Sequence, residues 1–128
     1  MPVELNHTIV AAREKKASAQ FLADILGLQV GPKYGPFIPV PIPNGVTLDY
    51  MDTTSPITPQ HYAFLVSEDD FDEILARVQA AGLTYWADPG HHRPHEINTN
   101  DGGRGTYFDD PNGHNLEILT RPYGSGTD

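Results

Sequence analysis

The chain has 128 residues, with 17 Asp and Glu against 8 Lys and Arg and a net charge of −9, which suits one compact domain and excludes a broad basic surface for nucleic acid. It has no Cys, so disulfides, zinc–thiolate sites and thiol catalysis are ruled out, and His and carboxylates remain as metal ligands. No apolar run approaches the roughly 18 residues that span a membrane, and the first residues lack the pattern of a signal peptide; a cytoplasmic protein with neither a membrane nor a nucleic-acid partner is expected.

Alternation predicts a first strand over residues 3–12, with Leu5, His7, Ile9 and Ala11 on one face and Asn6, Thr8 and Val10 on the other. Helical spacing follows over 13–27, with a stripe of Ala17, Phe21, Ile25 and Leu28 and with Gly27 as the stop. Between 28 and 52, Pro32, Pro36, Pro39, Pro41 and Pro43 confine the short strands to a sheet edge or a partner surface. The better strand there is 46–52, with Thr47, Asp49 and Met51 facing one way and Leu48 and Tyr50 the other. A short polar link, 53–59, leads into a strand over 60–67 in which His61, Ala63 and Leu65 share a face. The clearest helix spans 68–82, opening on Glu68-Asp69-Asp70 at the positive end of its dipole and turning Phe71, Ile74, Leu75 and Val78 to one side. After a strand over 84–87, Asp88-Pro89-Gly90-His91-His92-Arg93-Pro94-His95 is a loop. The last strands, 104–109 and 115–121, flank the turn Asp110-Pro111-Asn112-Gly113, and residues 124–128 are expected to be a flexible tail.

Glu117 is out of place in this last strand. A carboxylate within an apolar strand either faces solvent or has a partner that makes burial tolerable, such as a metal ion. The stretch around it also has a double. Pro43-Asn44-Gly45-Val46-Thr47-Leu48-Asp49 matches Pro111-Asn112-Gly113-His114-Asn115-Leu116-Glu117 position by position. His7 pairs likewise with His61, and Gly27-Leu28 with Gly82-Leu83. The chain is thus two copies of one module, strand, helix and three strands, over about 1–53 and 59–123. The offset is 54 from His7 to His61 but 68 from Asp49 to Glu117, so the second copy carries an insertion near 89–102. Folding the copies about a pseudo-twofold axis would gather two imidazoles and two carboxylates. That donor set suits Fe, Mn, Zn, Ni or Co as one divalent ion without choosing among them.

Leu5-Asn6-His7, Phe21 to Leu28, His61-Tyr62-Ala63-Phe64 and Tyr107-Phe108-Asp109-Asp110-Pro111-Asn112-Gly113-His114 leading to Glu117 together resemble the vicinal oxygen chelate superfamily. That superfamily includes glyoxalase I, fosfomycin-resistance enzymes, bleomycin-binding proteins and extradiol dioxygenases. The resemblance implies an α+β fold, a single domain of two tandem βαβββ modules whose mixed sheets curl around a metal-binding cleft. It places His7, His61 and Glu117 on the usual metal positions and Asp49 where glyoxalase I has a glutamate ligand. One methylene shorter, Asp49 is left as a ligand through water, a base beside the metal, or neither. Many small members are homodimers that build shared sites from the first module of one chain and the second module of the other.

Thr99-Asn100-Asp101 and Tyr107 stand at the distances before Glu117 that extradiol enzymes use, although Asn98 replaces their preceding His. The expected activity is that of a divalent-metal-dependent lyase, isomerase or extradiol-type dioxygenase. Its small substrate chelates the ion through two oxygens, with Asp49 or Tyr107 moving the proton. Arg93 and Arg104 are candidates for an anionic substrate, and Asn100 and Asp101 for substrate contact. The rival expectation is a metal-free protein that sequesters a drug or metabolite, as bleomycin-binding members do.

Overall fold

Sequence order in the structure, a computed structural model that describes residues 2–126, divides between two compact units, Met1–Thr58 and Pro59–Asp128. Of the tail expected to be flexible, Thr127 and Asp128 lie outside the described residues.

In the first unit β1 (His7–Ala12) leads into α1 (Lys15–Leu26), β2 (Ile38–Pro41) and β3 (Thr47–Asp52). The sheet order is β1-β3-β2, with β1 parallel and β2 antiparallel to β3. Alternation sets the faces: Val10 and Ala12, with Leu48 and Tyr50, are buried, while His7 and Ile9 are exposed. The strand is shorter than expected, since Val3 and Leu5 lie before it, at 99% and 68% exposure. Prolines act as anticipated. Pro39 and Pro41 have no N–H to give, and β2 is an edge strand. The strand expected before it is reduced to a single antiparallel bridge between Tyr34 and Phe37, with Pro36 inside that turn.

The inward stripe of α1 differs from the expected one. Ser18, Ala19, Leu22, Ala23 and Ile25 are buried, whereas Ala17 is exposed and Phe21 lies at the rim. Ala19 and Ala23 keep that face thin enough for close contact with a sheet, which a stripe through Phe21 would prevent. Gly27 does end the helix: at φ 74° it is left-handed, and both its N–H and that of Leu28 donate to the Ala23 carbonyl. At the other end Glu14 gives no side-chain cap, and Asp52 at the end of β3 accepts the Lys15 N–H at 2.7 Å instead.

The second unit contains β4 (His61–Leu65), α2 (Glu68–Ala80), β5 (Tyr85–Trp86), β6 (Gly105–Asp109) and β7 (Asn115–Leu119) in the complete βαβββ order. Its strands run β4-β7-β6-β5, with β4 parallel to β7 and the other pairs antiparallel. Phe71, Ile74 and Val78 of α2 are buried, as are Phe108, Leu116 and Ile118. Arg104 fastens β6 to the helix: its guanidinium reaches Glu68 at 2.8 Å and Asp72 at 2.7 Å and lies 4.4 Å from the Phe71 ring centroid.

The repeat extends to strand register. His7 stands opposite Thr47 and Ile9 opposite Asp49, as His61 stands opposite Asn115 and Ala63 opposite Glu117. The fold class is α+β with two mixed sheets, as expected. Among the described residues no helix is long and apolar enough to cross a membrane.

Ser67 caps α2, its hydroxyl accepting the Asp70 N–H at 3.1 Å. Its replacement by Ala is expected to cost about 1 kcal/mol, read as a lower urea midpoint at unchanged slope. Asp52→Ala should shift the midpoint the same way by uncapping α1.

Candidate metal centre

An inner strand of the second sheet carries the acid. Glu117 on β7 lies in one register row with Ala63 of β4, Tyr107 of β6 and, through Tyr107, Trp86 of β5. Row partners project to the same side of a sheet, so these side chains share the face of His61, two residues from Ala63. That face is not open at the carboxylate: Glu117 is only 1% exposed and Tyr107 4%. Of the two situations that an acid in an apolar strand allows, this is the buried, partnered one.

His61 is the first partner, its Nε2 standing 3.0 Å from Glu117 Oε1. Its Nδ1 lies 2.8 Å from the Asn115 carbonyl oxygen. A carbonyl can only accept, so Nδ1 carries a proton and donates, and Nε2 faces the carboxylate. A proton shared between Nε2 and the carboxylate satisfies that arrangement, and so does a cation between two lone-pair donors. Two donors each about 2.1 Å from an ion, at a right angle, stand about 3 Å apart. The pair therefore fits two sites of a divalent-ion centre.

Tyrosines close the rest. The Tyr123 hydroxyl lies 2.6 Å from each Glu117 oxygen and 3.0 Å from the Tyr107 hydroxyl. Tyr107 also stacks on the His61 ring, centroids 5.8 Å apart. Burial is the main cause that raises the pKa of both phenols. The hydrogen bond to Glu117 adds to it for Tyr123, while the bond to Tyr123 opposes it for Tyr107.

Beside this pair stands the inserted loop. His91 lies flat on Trp86, centroids 3.7 Å apart and planes within 2°, with Nε2 3.1 Å from Asn115 Oδ1 and 3.8 Å from Asp109 Oδ1. Asn115 thus links the loop through its side chain and His61 through its carbonyl. Burial raises the Asp109 pKa, against the charge of His91.

The remaining candidates have surroundings of their own. His7 is exposed at the start of β1, its Nδ1 2.8 Å from Asn6 Oδ1. Asp49 is half-buried on β3 between Ile9 and Pro39. Arg93 pairs with Glu96 at 2.9 Å, and Arg104 is committed to α2. Asn100 and Asp101 belong to a 3-10 turn, where Asp101 accepts the Gly126 N–H at 3.1 Å. His114 is structural: buried, it accepts the Gln60 N–H at 3.0 Å and ties β4 to the turn before β7. Among the described residues no cluster of three or more His, Asp or Glu is assembled. The structure brings together His61, Glu117 and Tyr107.

The sequence pattern of the Glyoxalase/Bleomycin resistance protein/Dioxygenase superfamily matches residues 4–118. The chain belongs to this superfamily. Among its relatives, the glutathione transferase FosA of Serratia marcescens is 31% identical over 120 residues, 89% of this chain and 78% of FosA. The solved structure of the oxidase ChaP-H2 is 78% identical, covers 99% of this chain and 100% of its own, and superposes with a TM-score of 0.98. The oxidase ChaP-H1 is 63% identical over 96% of this chain and 99% of its own, with a TM-score of 0.94.

In this superfamily member three participants escape a sequence pattern centred on strands. Tyr123 follows the last strand, and only its place six residues after Glu117, beyond Pro122, hints that it folds back. Asn115 reads as a polar strand residue, and the Trp86–His91 stack spans strand and loop.

The raised phenols make alkaline stability a test of this geometry. Tyr62, Tyr107 and Tyr123 all have folded pKa values above the ordinary 10.0, with burial the leading cause. Below that value the phenols are protonated in both states and their stabilisation is fully present. As pH rises past about 10 the unfolded chain ionises first, and stability falls through the folded pKa values. Urea midpoints should decline above that pH, and a flat alkaline arm would contradict the buried phenol cluster.

Proposed function

We propose that the chain is a divalent-metal-dependent oxidase of the dioxygenase type, acting on a small substrate that presents two oxygens to the ion. The observation that carries this is the pairing of a buried carboxylate with an imidazole whose Nε2 faces it at 3.0 Å. The oxidase chemistry is supported by the likeness to ChaP-H2, named an oxidase, at 78% identity. A bound divalent ion supplies Lewis acidity toward the two substrate oxygens and, if redox-active, electrons for dioxygen.

The protein's own part is to hold and orient. His61 offers Nε2 because the Asn115 carbonyl fixes its tautomer, and Glu117 offers a carboxylate kept from water. Tyr107, on the Glu117 row, places a hydroxyl donor beside the carboxylate for charge developing on a substrate oxygen. Asp49, on the sheet face of His7, is the base or water-mediated ligand, and Arg93, Asn100 and Asp101 contact the substrate.

His7 supplies the third protein ligand from a second copy of the chain. The two histidine-bearing strands leave apolar side chains exposed on the site face: Ile9 is 49% exposed beside His7, and Leu65 61% exposed on the strand of His61. Association would cover both, as a homodimer with shared sites requires.

Glu117→Gln should remove bound metal and activity together. Mixing the inactive variants His7→Ala and Glu117→Gln, then allowing chains to exchange, separates shared from intra-chain sites. Shared sites restore about a quarter of the wild-type activity, because half of randomly paired dimers are mixed and each has one intact site. Sites built within one chain restore none, and metal retained by Glu117→Gln at wild-type affinity would sink the proposal.

A further inference from the structure

Tyr123 has a geometry that the proposed ligand set does not require. The residue as a whole is 63% exposed, yet its hydroxyl reaches a carboxylate on a residue that is 1% exposed. It lies 2.6 Å from both oxygens of Glu117. One hydroxyl proton serves one oxygen at a time. An oxygen atom equidistant from the two stands on the bisector of the carboxylate, the place a chelated cation takes. Glu117 Oε1 also faces His61 Nε2, so the hydroxyl occupies one of the two groups that would hold an ion.

No strand delivers Tyr123 to this place. It rides on a short turn after β7, closed by the Ser125 N–H and Oγ–H, both donating to the Pro122 carbonyl at 3.1 Å and 2.6 Å. Arg121 Nη2 donates to the Ser125 carbonyl at 3.1 Å, and the Gly126 N–H donates to Asp101 Oδ1 at 3.1 Å. None of residues 121–126 is buried. Such a segment can open without disturbing a core, as low-stability elements at binding sites do.

We propose that Tyr123 is a tethered hydroxyl that occupies the Glu117 carboxylate in the metal-free chain and must leave it when a divalent cation binds, which couples loading of the site to release of the segment 121–126. This rests on the assignment of His61 and Glu117 as metal ligands. The tether explains why a single phenol is an effective occupant. Held by the turn, it meets the carboxylate as an intramolecular partner and not by diffusion. It also gives Asp101 a role at the far end of the strap, where it holds the Gly126 amide.

The test is calorimetric titration of the full metal-free chain with Zn(II), alongside Tyr123→Phe, Asp101→Gly and Glu117→Gln. Tyr123→Phe should bind Zn(II) about tenfold more tightly, which corresponds to about 1.4 kcal/mol. Asp101→Gly removes the acceptor for Gly126 at a position whose φ of 57° glycine tolerates; it should tighten binding in the same direction and serves if the Phe variant fails to fold. In the wild-type chain, Zn(II) should speed hydrogen exchange at the Ser125 and Gly126 amides.

Unchanged affinity in Tyr123→Phe, with wild-type binding still dependent on Glu117, overturns this inference and leaves the metal assignment standing. Weaker binding overturns it too, by making Tyr123 a ligand. If neither chain binds Zn(II) through Glu117, the metal assignment fails and the inference falls with it.

Discussion

A carboxylate buried on an inner strand of a sheet needs partners, and in the second unit the partners of Glu117 follow from where β7 lies. With β4 on one side and β6 on the other, its row neighbours are Ala63 and Tyr107. The small Ala63 leaves room for the ring of His61, one row away, to reach across. That ring needs a fixed tautomer, and the Asn115 carbonyl two residues before the acid provides it. A single strand thus supplies both the acid and the group that aims its imidazole. The pairing tolerates burial because an imidazole can meet the charge with a proton or share a cation with it, whereas an unpartnered carboxylate at this depth would be strongly destabilising.

The first unit shows what the same register does without the cover. His7 and Asp49 repeat the strand positions of His61 and Glu117, but Asp49 sits between Ile9 and Pro39 where Glu117 has Ala63 and Tyr107. Ile9 puts a larger side chain in the register position that Ala63 has beside Glu117, and Asp49 is one methylene shorter. His7 turns its Nδ1 to the neighbouring Asn6 side chain, and its ring stays in solvent. The repeat has preserved the backbone relation of His to acid while the side chains around it diverged.

This contrast explains what the sequence made legible. The β parities, the Gly27 stop, the acidic start of α2 and the edge position of the Pro-rich strand all rest on local chemistry, and each is present in the structure. The doubled Pro-Asn-Gly pattern places the two acids on equivalent strands, and their registers agree. The inward face of α1 was misplaced because Ala17 and Phe21 fit an apolar spacing as well as Ala19 and Ala23 do; only the sheet decides which set is buried. Arg104 read as free for substrate because nothing local reveals that Glu68 and Asp72, more than 30 residues earlier, meet its guanidinium. Tyr123 was out of reach for the same reason, since its partner is set by a turn and a tether.

The insertion in the second unit has a cost that its contacts offset. His91, His95 and Asp101 are the three non-glycine residues with positive φ among the described residues, at 60°, 59° and 57°, and all lie between β5 and β6. Each such conformation is unfavourable by about 1–3 kcal/mol and persists only where surrounding structure enforces it. Here the enforcement is visible. His91 is clamped between Trp86 and Asn115; His95 donates its N–H to the Tyr85 carbonyl at 2.7 Å and packs edge-on against that ring; Asp101 holds the Gly126 amide. Two of the three clamps lead back to the centre, through Asn115 to His61 and through the 121–126 segment to Tyr123. A loop with no structural purpose would relax its strain by placing Gly at these positions. Strain held against the residues that aim His61 and cover Glu117 argues that the insertion sets the shape of the site.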